Sequence, residues 1–85
     1  MKQFTYTVTD PEGIHARPAG LLVKAASAFA SDIQVVKNGT AANAKKIFAV
    51  MGLAVKKGES VTVTAQGGDE EKATETLLAF FKANL

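Results

Sequence analysis

Residues 60–81, SVTVTAQGGDEEKATETLLAFF, change their hydrophobic period part-way along. Up to Gln66 the apolar residues Val61, Val63 and Ala65 alternate with hydroxyl side chains. That is the period of a strand with one buried face. Gly67-Gly68 turns the chain, and from there Ala73, Leu77, Leu78 and Phe81 recur at helical spacing. Asp69 stands where an N-cap belongs, and Glu70 and Glu71 in the first turn suit the positive end of the helix dipole. A one-sided strand followed by a one-sided helix predicts a sheet with helices on one face and solvent on the other.

The rest of the chain repeats this grammar. In FTYTVTD, Phe4, Tyr6 and Val8 alternate with Thr5, Thr7 and Thr9, a second half-buried strand. PEG at 11–13 is a turn, and from Ala16 to about Phe29 the residues Leu22, Ala25, Ala26 and Phe29 mark a helix. DIQVVK is another strand, and Asn38-Gly39 signals a tight hairpin into a short strand over about Thr40 to Ala44. Lys45–Val55, KKIFAVMGLAV, suits a short helix or a buried strand. Its Ala, Met and Leu outnumber its β-branched residues, which favours the helix. The expected order is strand, helix, strand, strand, helix, strand, helix.

Composition narrows the function classes. The 85 residues make one domain, 1–85, with one modest core. Hydrophobic content of 47% and charged content of 21% fit a globular protein. Ten Lys+Arg against eight Asp+Glu give a net charge of only +2. With one arginine and six aromatic residues, the chain has little to offer nucleic acid. There is no cysteine, so no disulfide and no thiolate metal site, as suits a reducing cytoplasm. The N-terminus does not read as a signal peptide, and no apolar run approaches the ~20 residues of a membrane span.

The stretch GIHARPAG, residues 13–20, holds the chain's one histidine and one arginine. A histidine before a helix is ordinarily a turn residue. Here Pro18 is placed for a helix start. The first amides of that helix, at about Ala16 and Arg17, therefore lack intrahelical partners. Those amides, the helix dipole and the fork of Arg17 make a site for an anion. Gly13, Ala16, Ala19 and Gly20 leave it uncrowded. Nearby positive charge disfavours imidazolium, and a neutral ring nitrogen of His15 can attack phosphorus.

GIHARPA, SDIQVVKNG and AKKIFAVMGLAVKKGESVTVTAQGGDEEKA together resemble the HPr family, the histidine-containing phosphocarriers of the bacterial phosphoenolpyruvate-dependent sugar phosphotransferase system. The resemblance runs from the first strand to the last helix. It implies an α+β open-faced β-sandwich: a four-stranded antiparallel sheet, order 1-4-2-3, with three helices on one face. It implies that His15 accepts a phosphoryl group on Nδ1 from enzyme I and passes it to enzyme IIA domains. Such a protein is a stoichiometric carrier rather than an enzyme, and no metal or organic cofactor is implied. The partners implied are enzyme I and enzyme IIA domains, with neither nucleic acid nor membrane. The expected state is a cytoplasmic monomer.

Ile47, Phe48 and Met51 would by default be core. The resemblance instead places Ile47, Phe48, Met51 and Gly52 in an exposed apolar patch near His15. Gly20, Leu21, Lys24 and Ser27 would line its other side. Lys24, Lys45 and Lys46 would steer acidic partners, although solubility explains any one lysine equally well. Two positions depart from the family. Glu12 stands where Asn, Ser or Thr is usual, and a carboxylate turned inward would oppose the cationic site. Lys46 stands where many Gram-positive relatives carry a serine phosphorylated by a regulatory kinase. The family's C-terminal carboxylate has been linked to its active-site arginine; Leu85 could supply such a group, at a place the sequence leaves open. A regulatory module on the same fold is the competing reading.

Overall fold

In the computed structural model, which describes residues 1–85, the alternating segments all become strands of one sheet. The order along the chain is β1 (Lys2–Thr7), α1 (Ala16–Ser27), β2 (Asp32–Lys37), β3 (Thr40–Asn43), α2 (Ile47–Gly52), β4 (Ser60–Gln66) and α3 (Glu70–Asn84). The sheet is antiparallel with order β1-β4-β2-β3, and three helices cover one face. The ambiguous segment 45–55 forms a helix over only its middle six residues.

Strand alternation sets the two faces. Ile33, Val35, Val61, Val63 and Ala65 are buried beneath the helices, which contribute Ala19, Leu22, Ala26, Val50, Ala73, Leu77 and Phe81. Phe81 is the largest fully buried side chain. The rings of Phe4 and Tyr6 meet it edge-on, with centroids at 5.7 and 5.5 Å. On the open face the register pairs Thr5 with Thr62 and Thr7 with Ser60. Their hydroxyls bond across the strands at 3.1 and 2.8 Å. The hairpin Asn38-Gly39 has φ of 49° and 81°, the positive pair that a type I′ turn requires.

Several boundaries and roles differ from expectation. Helix α1 stops at Ser27 rather than Phe29, and the ammonium of Lys45 takes up the Phe29 carbonyl at 2.7 Å. The lysine thus satisfies a carbonyl in the bend just past the helix. Lys45 is therefore also a structural contact, with its charge kept. Strand β3 ends at Asn43; the Ala44 amide still donates to Ile33 at 2.9 Å. Asp69 occupies the N-cap position of α3 but makes no side-chain cap. Its carboxylate instead accepts from the amides of Ala30 and Ser31 at 2.9 and 3.0 Å, and from the Ser31 hydroxyl. Asp69 thus ties the start of α3 to the chain leaving α1.

Candidate phosphoryl-acceptor site

The site begins with a loop that has little freedom. The Asp10 carboxylate accepts from the Glu12 amide at 2.8 Å, and the Asp10 carbonyl accepts from Gly13 at 2.9 Å. This is the turn that the Asp-Pro-Glu-Gly sequence favours. Gly13 follows at φ 67°, where a Cβ would sit 2.1 Å from the Val55 carbonyl oxygen. The glycine is required by this close approach, beyond leaving the site uncrowded. Ile14 is buried, and its amide donates to the same Val55 carbonyl at 3.0 Å. On the other side, a main-chain oxygen of Leu85 accepts from the amides of Thr9 and Asp10 at 2.6 and 2.9 Å, and from the Thr9 hydroxyl at 3.0 Å. The loop is held between the α2–β4 connection and the end of α3. Leu85 is engaged there, and Arg17 makes no ion pair.

That loop delivers His15 to the N-cap position of α1 with extended backbone, φ −91° and ψ −174°. Its ring caps nothing. The first helical hydrogen bond runs from the Ala19 amide to the His15 carbonyl at 3.0 Å. Pro18 has no N–H, so the amides of Ala16 and Arg17 are the donors left over at this end. Ala16 and Arg17 are exposed. His15, Arg17, Asp10, Pro18, Leu21 and Asn84 line an open depression of about 290 Å³.

The electrostatics are less uniformly positive than the sequence implied. Nε2 of His15 lies 3.5 Å from the Glu12 carboxylate and 4.0 Å from that of Asp10. Glu12 is therefore turned toward the ring. Asp10 and Asn84 belong to the depression although sequence reasoning passed over both. Asp10 had a local signal, an aspartate opening a proline turn. Asn84 had none, since only the packing of α3 brings it here.

The apolar run at 45–55 divides as a short helix must. Val50 is buried. Ile47 is half-buried, with its Cδ1 atom 3.7 Å from where a Gly20 Cβ would stand. Phe48 is 84% exposed and Met51 36%, and Leu21 on α1 is 45% exposed. Gly20 is half-buried; Gly52, Lys24 and Ser27 are exposed. The exposed apolar residues thus lie on two helices that pack against each other, one of them with His15 at its N-cap. Lys46 occupies the N-cap of α2, exposed and without a side-chain cap. The C-terminal end of α2 is satisfied by Lys37, whose ammonium donates to Leu53 and Ala54 at 3.0 and 3.1 Å and pairs with Glu59 at 3.0 Å. Glu59 is held below the usual carboxylate range, first by the Lys56 amide and then by Lys37.

Comparison with known proteins gives one answer. The family described as PTS HPr component phosphorylation site matches residues 2–83. The chain is 52% identical over 77 residues to the phosphocarrier protein HPr of Lysinibacillus sphaericus, covering 91% of this chain and 88% of that one. A crystal structure of HPr from Thermoanaerobacter tengcongensis superposes with a TM-score of 0.93 at 41% identity, covering 98% of this chain and 93% of that one. The Bacillus subtilis protein Crh, a catabolite repression protein described as a swapped dimer, superposes with a TM-score of 0.79 at 42% identity, covering 100% and 98% of the two chains.

Proposed function

This chain belongs to the HPr phosphocarrier family of the phosphotransferase system, and on that premise we propose that His15 takes a phosphoryl group from phospho-enzyme I and hands it to enzyme IIA domains. One observation carries the reading. His15 stands at a helix N-terminus whose first amides, Ala16 and Arg17, have no partner and whose arginine is unpaired. Donors and charge are thus in place before the anion arrives.

In the forward step the Nδ1 lone pair forms a bond to phosphorus. The donor's own bond to phosphorus breaks, and its electron pair stays with the donor. The amides of Ala16 and Arg17 and the Arg17 guanidinium hold the phosphoryl oxygens. Transfer to the next protein reverses the step, so the chain is consumed and regenerated stoichiometrically. Partners dock on Leu21, Phe48 and Met51, with Gly20, Ile47 and Gly52 at the helix junction and Lys24 and Ser27 on the rim. An exposed apolar patch with a polar rim suits a transient interface. The proposed acting form is a monomer, at work in the cytoplasm. Lys46 carries no hydroxyl, so a kinase that labels serine at this place has no acceptor here.

Incubation with phosphoenolpyruvate and enzyme I is the test. The expected product carries one acid-labile, base-stable phosphoryl group per chain, and His15→Ala carries none. Persistent labelling of His15→Ala would remove the assignment. The likeness to Crh favours a second reading, a regulatory module that touches other proteins without serving sugar uptake. A wild-type chain left unlabelled under these conditions would favour it.

A further inference from the structure

The carboxylates near His15 approach one particular edge of its ring. Glu12 stands at 3.5 Å from Nε2 and Asp10 at 4.0 Å from the same atom. Arg17, which also lines the depression, is the cation nearby. The two acids differ in what else they do. The Asp10 carboxylate is already used in the turn, accepting from the Glu12 amide at 2.8 Å. The Glu12 carboxylate makes no hydrogen bond elsewhere, and its side chain is 74% exposed, so it has room to close on the ring. Catalytic contacts are commonly long before the reactive complex forms.

We infer that Glu12 is a positioning residue that acts through His15: it keeps the ring proton on Nε2 and so leaves the lone pair on Nδ1. This rests on the phosphocarrier reading for its consequence, though not for its geometry. A neutral imidazole has one N–H and one lone pair, and the partner of one nitrogen decides the state of the other. A carboxylate beside Nε2 favours N–H there. When Nδ1 bonds to phosphorus, the Nε2 proton stays and the ring becomes cationic. The Glu12 charge then stabilises the ring, much as a carboxylate does behind the histidine of a hydrolytic triad. The same charge lies away from the attacking nitrogen and so repels the incoming phosphoryl oxygens less than it would beside Nδ1.

The test uses the full chain labelled with 15N-histidine, as wild type, Glu12→Gln and Glu12→Ala. Ring tautomers are read from long-range 1H–15N NMR at a pH where the ring is neutral. The ratio of Nε2–H to Nδ1–H should fall about threefold in both variants, the size of an exposed charge contact. Adding salt should shrink the difference. Glu12→Asp should recover part of the ratio. Phosphoramidate serves as a small donor that needs no docking: Nδ1 bonds to phosphorus and the donor's nitrogen leaves as ammonia, taking the electron pair and a proton. Its rate with Glu12→Gln and Glu12→Ala should fall by about the same factor. A purely structural role for Glu12 would change unfolding and leave the tautomers alone. An unchanged tautomer ratio in both variants overturns the inference, whatever the donor does. Shifted tautomers with no phosphoryl group on wild-type His15, from phosphoramidate or from enzyme I, overturn the phosphocarrier reading instead.

Discussion

The N-termini of α1 and α3 solve the same problem in opposite ways. Each helix starts with amides that its own backbone cannot satisfy. Each has a side chain of the right reach at its N-cap position, His15 or Asp69, and neither side chain caps its own helix. Asp69 spends its carboxylate on Ala30 and Ser31 and locks two segments together. The α3 helix keeps compensation in Glu70 and Glu71, acids in its first turn. Helix α1 has no acid in its first turn and no substitute for a cap. Its free donors lie beside a half-buried imidazole and an unpaired arginine. One terminus is closed in the sense that its N-cap side chain is engaged by another segment and acids balance its dipole. The other is left open at some cost in stability, as sites reserved for a ligand often are.

Of the two termini, the larger expected stability effect lies in the seat of the open one. Gly13→Ala forces a side chain into the Val55 carbonyl at positive φ. Denaturant unfolding should show a loss of about 3 kcal/mol, from backbone strain and displaced packing together. A loss under about 1 kcal/mol would mean that the loop adapts and that His15 is less firmly held than its contacts imply.

Next in size is the closed terminus. Ser31 is 1% exposed and donates its hydroxyl to Asp69. Ser31→Ala should cost about 1–3 kcal/mol, the range for breaking a buried hydrogen bond. Asp69 itself gives the comparison a pH axis. Its carboxyl is held below the ordinary carboxylate range, chiefly by the Ser31 hydroxyl and then by the Ala30 amide. A carboxyl lower in the folded than in the unfolded state contributes stability above its unfolded value, about 3.9. That contribution is lost as pH falls through the folded value. Asp69→Asn should therefore be less stable than wild type near pH 7, and the gap should close in acid. A gap that stays constant from pH 7 to pH 3 would detach Asp69 from the acid response.

The smallest stability effects belong to the open terminus and its apolar flank. Arg17→Ala and Phe48→Ala should each change unfolding free energy by no more than about 0.5 kcal/mol, as exposed positions do. Phe81→Ala, in the core, should cost about 3–5 kcal/mol. In function the ranking inverts. Arg17→Ala should slow phosphoryl transfer by roughly one to three powers of ten, and Phe48→Ala should weaken binding to enzyme I. Normal transfer by a destabilised Arg17→Ala would reverse the assignment of roles.

The alternation of Val61, Val63 and Ala65, and of Phe4 and Tyr6, made the sheet and its covered face legible in the sequence, because strand period and burial are the same fact. The hairpin at Asn38-Gly39 was legible because positive φ demands those residues. The loop carrying His15 was legible through Pro18, which marks a helix start on its own. What stayed hidden depends on distant segments meeting. Nothing local to Asp69 says that its carboxylate will turn away from its own helix toward Ser31. Nothing near Lys45 says that it will reach the end of α1. The need for Gly13 becomes visible only once the Val55 carbonyl is known to lie against it. Ile47, Phe48 and Met51 share one apolar run, and only the placement of α2 beside α1 sorts them into packed and exposed.

The account turns on the claim that α1 keeps its first amides free for a phosphoryl group on His15. Amide NMR of the chain before and after phosphorylation by enzyme I and phosphoenolpyruvate tests it directly. The account predicts large downfield shifts for the amide protons of Ala16 and Arg17, with the amides of Glu70 and Glu71 at the closed terminus of α3 unmoved. Full labelling of His15 with the Ala16 and Arg17 amides left where they were would contradict it.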